Sequence, residues 1–127
     1  MSTNNDSRLN TQTQSSNEDE LKRRQIRQLN DQLRKTLLGG LVVVTSGVSD
    51  LEENTRKELL YEIAHYSQFD HNNDPYNEHD FGRVKVEGHE ILWKIDYYDL
   101  NMEYASSDPS DPSITTRVLT IMLAGEY

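Results

Sequence analysis

A chain of 127 residues without a single cysteine has the length of one domain, and it excludes disulfides, thiolate metal sites and a cysteine nucleophile. Its formal net charge of −9 is unevenly placed: residues 1–17 hold one acid and one base, 18–49 hold four acids and six bases (net +2), and 50–127 hold 17 acids and six bases (net −11). A body that acidic repels a phosphate backbone, which argues against direct nucleic-acid binding by the folded domain and for a protein partner with a basic surface.

No run approaches the ~18 apolar residues of a membrane span, and the polar opening Met1-Ser-Thr-Asn-Asn-Asp lacks the pattern of a secretory signal. A cytoplasmic protein with no membrane contact is expected. Residues 1–17, rich in Ser, Thr, Asn and Gln, are expected to be disordered, with one α+β domain over 18–127.

From Glu18 the pattern turns helical. Ile26, Leu29, Leu33 and Leu37 recur at helical spacing, acids at 18–20 suit a helix start, and Gly39-Gly40 suits its stop, so a first helix is predicted over about 18–38. Its basic residues Lys22, Arg23, Arg24, Arg27, Arg34 and Lys35 are expected to pair with the acidic body or with a second copy. The β-branched run at 41–45 reads as a buried strand, too apolar for an edge. Ser49 and Glu52 form a capping-box pattern ahead of Leu59, Leu60 and Ile63, which predicts a helix over about 50–66.

Strands follow at about 83–87 and 90–97. A Gly88-His89 turn would set Val86 against Ile91 and Val84 against Trp93, leaving one face apolar, with Trp93, Ile95 and Tyr97 inward and Lys94, Asp96 and Tyr98 outward. Leu100, Met102 and Tyr104 alternate and suggest a further strand over 100–104. Asp111 and Pro112 can open a last helix over about 112–124, although Val, Ile and Thr in Arg117 to Leu123 also suit a strand. The expected fold is α+β, a small sheet covered by helices.

Carboxylates are the natural place to look for chemistry. Asp70-His-Asn-Asn-Asp74 begins like a calcium loop, but Pro75 stands where glycine is needed and Phe81 where the bidentate glutamate belongs. His79 and Asp80, with His65, His71, Asp96 and Asp99, form a weak candidate metal set without helical His-Glu-x-x-His spacing. Asp108-Pro-Ser-Asp111-Pro reads as turn chemistry, each aspartate bonding to amides just after it. No Gly-rich phosphate loop and no Gly-x-Ser-x-Gly nucleophile occur.

Asp80-Phe-Gly, Trp93-Lys-Ile-Asp-Tyr-Tyr-Asp99, Ser107-Asp-Pro with Asp111-Pro, and Thr116-Arg-Val-Leu-Thr-Ile-Met-Leu-Ala124 with Glu126-Tyr127 resemble the signature of a small bacterial domain family of unknown function. The likeness also takes in residues 26–31 and Asn73-Asp74-Pro75, and it spans most of 26–127. It implies a small stand-alone protein of the kind carried on mobile elements, and transfers no catalytic residue.

The sequence therefore reads as a small acidic non-enzymatic binding protein without a cofactor, an inhibitor of a bacterial defence or nucleic-acid-handling protein through phosphate-like acidic spacing. Its binding residues are expected to be Asp96, Tyr98, Asp99, Glu103, Asp108 and Asp111. Two alternatives stand beside it: a metal-dependent hydrolase or nuclease using His79, Asp80, Asp96 and Asp99, and a dimeric, antitoxin-like regulator joined through the first helix.

Overall fold

The computed structural model describes the backbone of residues 3–127 and the side chains of residues 16–127. In chain order it consists of α1 (Thr3–Thr36), β1 (Leu41–Val44), α2 (Ser46–Ser49), α3 (Glu53–Ala64), β2 (Phe81–Val86), β3 (His89–Tyr98), β4 (Thr116–Leu123) and a closing 3-10 turn (Ala124–Glu126). One four-stranded mixed sheet in the order β1-β4-β3-β2 carries the fold, with β1 parallel to β4 and the other pairs antiparallel. The α+β expectation holds. Of the segment 1–17 expected to be disordered, residues 1–2 lie outside the described residues, and the backbone from Thr3 is assigned to α1, expected to start at 18.

Alternation along β3 and β4 sends Ile91, Trp93 and Ile95, with Leu119 and Ile121, to one side, where Leu33 of α1, Val48 of α2, and Leu59 and Ile63 of α3 complete a single buried core. Tyr97 and Arg117 continue that side at its polar end. Leu41, Val43, Leu92, Lys94, Asp96, Tyr98, Val118 and Met122 point the other way.

Five expectations are corrected. The segment expected as a helix over 112–124 is β4, the strand between β1 and β3. Both faces of a central strand are buried, so Val118 and Met122 on one face join Leu119 and Ile121 on the other in an apolar run interrupted only by Thr120, which helical spacing also fits.

No strand forms over 100–104. β2 covers β3 only as far as Lys94, and beyond it Ala105 bridges Tyr98 antiparallel while Ser106 N–H donates to the Tyr97 carbonyl. Residues 99–104 are the turn that leads there, in which Asp99 N–H donates to the Tyr104 carbonyl, Asp99 Oδ1 accepts from Glu103 N–H, and Met102 adopts φ 57°.

β1 is an edge strand with all four residues exposed, not a buried one. The helix expected over 50–66 is present but shorter, as α3, and its expected capping box is not formed: Ser49 ends α2, and the Glu52 side chain makes no capping bond. Finally, the hairpin turns at Glu87-Gly88, with φ of 49° and 80°, so that Val86 lies across from His89 and Val84 from Ile91. Two successive positive φ values are what a two-residue hairpin with the twist of its strands requires. This register also sets Gly82 against Trp93, where any side chain larger than glycine's would meet the indole.

Candidate docking surface

The end of β3 and the turn after it gather most of the residues singled out from sequence. Asp96 and Tyr98 share the face away from the helices, as alternation predicts; Tyr98 lies opposite Thr116 and Asp96 opposite Val118. Asp96 Oδ2 sits 2.7 Å from Lys94 Nζ, and this pairing holds the Lys94 ammonium above its usual range. Asp99 and Glu103 follow in the turn, beside Leu100, Met102 and Tyr104, whose side chains are all exposed, Tyr104 by 72%. Leu41 and Val43 on β1 add exposed apolar surface to the same face of the sheet.

Asp108 and Asp111 do different work. Asp108 Oδ1 accepts from the N–H and hydroxyl of Ser110, and these bonds, with Ser110 Oγ at 2.6 Å, pull its carboxyl below the usual range. Asp111 repeats the motif with Ser113. Both are turn-forming aspartates, and Asp108 also meets Lys22 Nζ at 3.7 Å.

His79, Asp80, Asp96 and Asp99 do not assemble into a metal-holding cluster, although Asp96 is close enough to Asp80 to help raise its carboxyl. His79, at φ 55°, stacks on Phe69 with ring centroids 3.8 Å apart, and its Nδ1 lies 2.9 Å from Asp31 Oδ1. Asp74, buried beside it, uses Oδ1 to accept the amides of Glu78 and His79. Asp70 Oδ1 likewise accepts the amides of Asn72 and Asn73, so the carboxylates of the calcium-like run are spent on folding their own loop. His65 bonds and stacks locally with Tyr61, and His71 is exposed. Among the described residues no three His, Asp or Glu side chains converge as a metal ion requires.

Sequence reasoning missed the polar clamp that fixes the other side of this region. Asn30 Nδ2 donates to the Tyr97 hydroxyl at 2.8 Å and to the Glu78 carbonyl, while its Oδ1 accepts from Arg117 Nε at 2.7 Å. Tyr97 in turn donates to Glu78 Oε1, and burial pushes its phenol far up. Arg117, 2% exposed, lies with its guanidinium 5.0 Å from the Tyr97 ring centroid and also donates to the Pro109 carbonyl.

One turn further along α1, Arg34 Nη1 donates to the carbonyls of Ile63, Ala64 and Tyr66 at the end of α3, where a cation satisfies orphan acceptors. Asp80 is half-buried beside these acids, and desolvation, followed by Glu78 and Asp74, raises its carboxyl to about 6. A lone arginine within a strand pattern was the one available signal, since such a residue inside a core needs a partner.

This sheet, with its turn-forming aspartates, lies within residues 44–126 apart from most of β1, and that span matches the family described as protein of unknown function (DUF3768). The chain belongs to that family. α1 precedes the DUF3768 match, so Asn30, Asp31 and Arg34 clamp the matched domain from outside it. The resemblance expected over 26–127 thus holds as membership over a shorter span. No curated protein and no solved structure matches the chain. Among the described residues, no helix is long and apolar enough to cross a membrane.

Proposed function

We propose that this DUF3768 protein is a non-enzymatic binding protein that docks on a basic protein partner through the end of β3 and the 99–104 turn. What carries the reading is the juxtaposition there of Asp96, Asp99 and Glu103 with the exposed side chains of Leu100, Met102 and Tyr104. Apolar and aromatic anchors beside acids, of which, among the described residues, only Asp96 is paired with a base, Lys94, are the composition of a recognition patch. The acidic excess of Asp99 and Glu103 speeds encounter with a basic partner.

Carboxylates presented on this patch would stand in for phosphates, which makes the protein an inhibitor of a bacterial defence or nucleic-acid-handling protein, acting in the cytoplasm and spread with mobile elements. The hydrolase reading has less support, because among the described residues no three His, Asp or Glu side chains converge as a metal ion requires.

The test is capture from low-salt bacterial lysate on the immobilised protein and on an Asp99→Lys/Glu103→Lys variant. A basic protein held by the first, released at about 0.5 M salt and lost by the second, supports the reading. Equal retention by the variant moves the interface elsewhere, and failure to retain any basic protein removes the proposal.

A homodimer through α1 is favoured by one separate observation. Residues 16–25 of that helix are all exposed, and Leu21, 57% exposed, continues into Gln25, Gln28, Leu29 and Gln32 as a shallow groove. Removal of residues 1–25 is expected to turn a dimer into a monomer in light scattering, and an unchanged mass rules this arrangement out.

A further inference from the structure

We propose that the cleft between α1 and the turn at Pro75 to Asn77 binds a nucleotide, its phosphates on three arginines and its base against Tyr76. The cleft measures about 350 Å³, within the range of small-ligand sites, and Arg23, Arg24, Arg27, Tyr76 and Asn77 line it together with one acid, Glu20.

Helical spacing places these arginines together. Residues 23 and 27 are one turn apart, and 24 and 27 are i,i+3 neighbours, so all three project toward the turn that α1 packs beside. Arg27 is fixed in place, its Nη1 donating to the Asn77 carbonyl at 3.0 Å. The Arg23 guanidinium lies 6.0 Å from the centroid of the Tyr76 ring, which is 63% exposed and so free to take a second planar group.

The expectation that the basic face of α1 would be neutralised by the acidic body is met by Lys22, which reaches Asp108, whereas Arg34 pairs with Asp31 of its own helix. Arg23, Arg24 and Arg27 form no ion pair among the described residues, in a chain with 22 acids. Three guanidinium forks against a single acid, Glu20, on one concave surface match the oxygens of a phosphate, for which arginine's planar donors are suited. An exposed tyrosine at the rim adds what a bare phosphate does not need, a platform on which a base stacks. The repulsion of the remote carboxylates is screened within about 8 Å at physiological salt, so the local cluster decides the sign of the field in the cleft. This site is separate from the acidic docking face and does not depend on it.

Nuclear magnetic resonance titration of the full chain at physiological salt with ADP, pyrophosphate, adenosine and a short single-stranded oligonucleotide tests the assignment. ADP is expected to shift the Tyr76 ring resonances, pyrophosphate to bind more weakly than ADP, and adenosine to leave the spectrum unchanged. Arg23→Gln/Arg24→Gln should weaken ADP at least about tenfold, and Tyr76→Ala should weaken ADP while leaving pyrophosphate unaffected. All three side chains lie at the surface, and an unchanged circular dichroism spectrum confirms that the variants fold.

Tighter binding of the oligonucleotide than of ADP makes a strand the source of the nucleotide, and the reverse makes it a free nucleotide; either supports the site. Absence of an ADP response, an equal response in the arginine variant, or a phosphoserine peptide bound where ADP is ignored overturns it.

Discussion

Gly82 and Trp93 face each other across the β2–β3 ladder, and the indole fills the space in which any other side chain at position 82 would begin. A Cβ there would stand 2.5 Å from Trp93 Nε1 and 2.6 Å from Cε2, with Trp93 wholly buried. Gly82→Ala is expected to lower stability by about 1–3 kcal/mol, as overpacking of a well-filled core does, and to alter the near-ultraviolet signal of the only tryptophan. An unchanged urea midpoint would show that the ring does not rest on this glycine.

The Asn30 clamp makes a second prediction. Asn30→Leu leaves Arg117 Nε and the Tyr97 hydroxyl short of a partner in a buried setting, and a loss of roughly 2–4 kcal/mol is expected. Arg117→Met added to Asn30→Leu should cost less than the sum of the two single changes, because the second substitution removes the charge that the first left unpaired. Strict additivity in a double-mutant cycle would mean that the pair is not coupled.

Asp80 has a definite pH signature. Its folded value of about 6 lies above the ordinary 3.8, so its contribution to stability is fully present below pH 3.8 and is lost as pH rises through 6. Asp80→Asn is therefore expected to stabilise the protein at pH 7.5 and to have little effect near pH 3.5. The ceiling is about 3 kcal/mol, reduced because the carboxyl is only half-buried. Denaturant titrations at the two pH values check the sign.

Glu126 works in the opposite sense. Its carboxylate accepts from the Thr45 hydroxyl at 2.6 Å and from the amides of Leu123 and Gly47, and these bonds, the hydroxyl foremost, draw its value below the ordinary 4.5. The stability it supplies is present above pH 4.5 and is lost as pH falls through the lower folded value. Glu126→Gln should flatten that part of the acid-unfolding curve, and a curve superimposable on the parent's would show that the bonds are not kept in solution.

Much of this architecture was legible in the residues. The alternation of Trp93, Ile95 and Tyr97 against Lys94, Asp96 and Tyr98 gave the two faces of β3, and the Asp-Pro repeat gave its own turns. What failed did so for want of neighbours. Val118, Leu119, Ile121 and Met122 satisfy helical and central-strand patterns alike, and only the pairing with β1 and β3 decides between them. Leu100, Met102 and Tyr104 alternate as a strand should, yet they lie in the turn that carries the chain back to a single bridge between Ala105 and Tyr98. The hairpin register turned on the missing side chain of Gly82, a signal that weighing Val against Ile and Trp overlooks. Asn30 and Arg117 are 87 residues apart, and nothing local joins them.

The parallel pairing of Leu41–Val44 with Val118–Ile121 closes a loop of 118 − 41 = 77 residues, whereas Val86 and His89 of the hairpin are three apart. Closure entropy for such a span exceeds that of the hairpin by roughly 3 kcal/mol, at about 0.6 kcal/mol per doubling of length. β1 is thus the last strand to join during refolding and the cheapest to release afterwards. Its amides should exchange with heavy water well before those of β3, and substitutions within it should speed unfolding while leaving the folding rate nearly untouched.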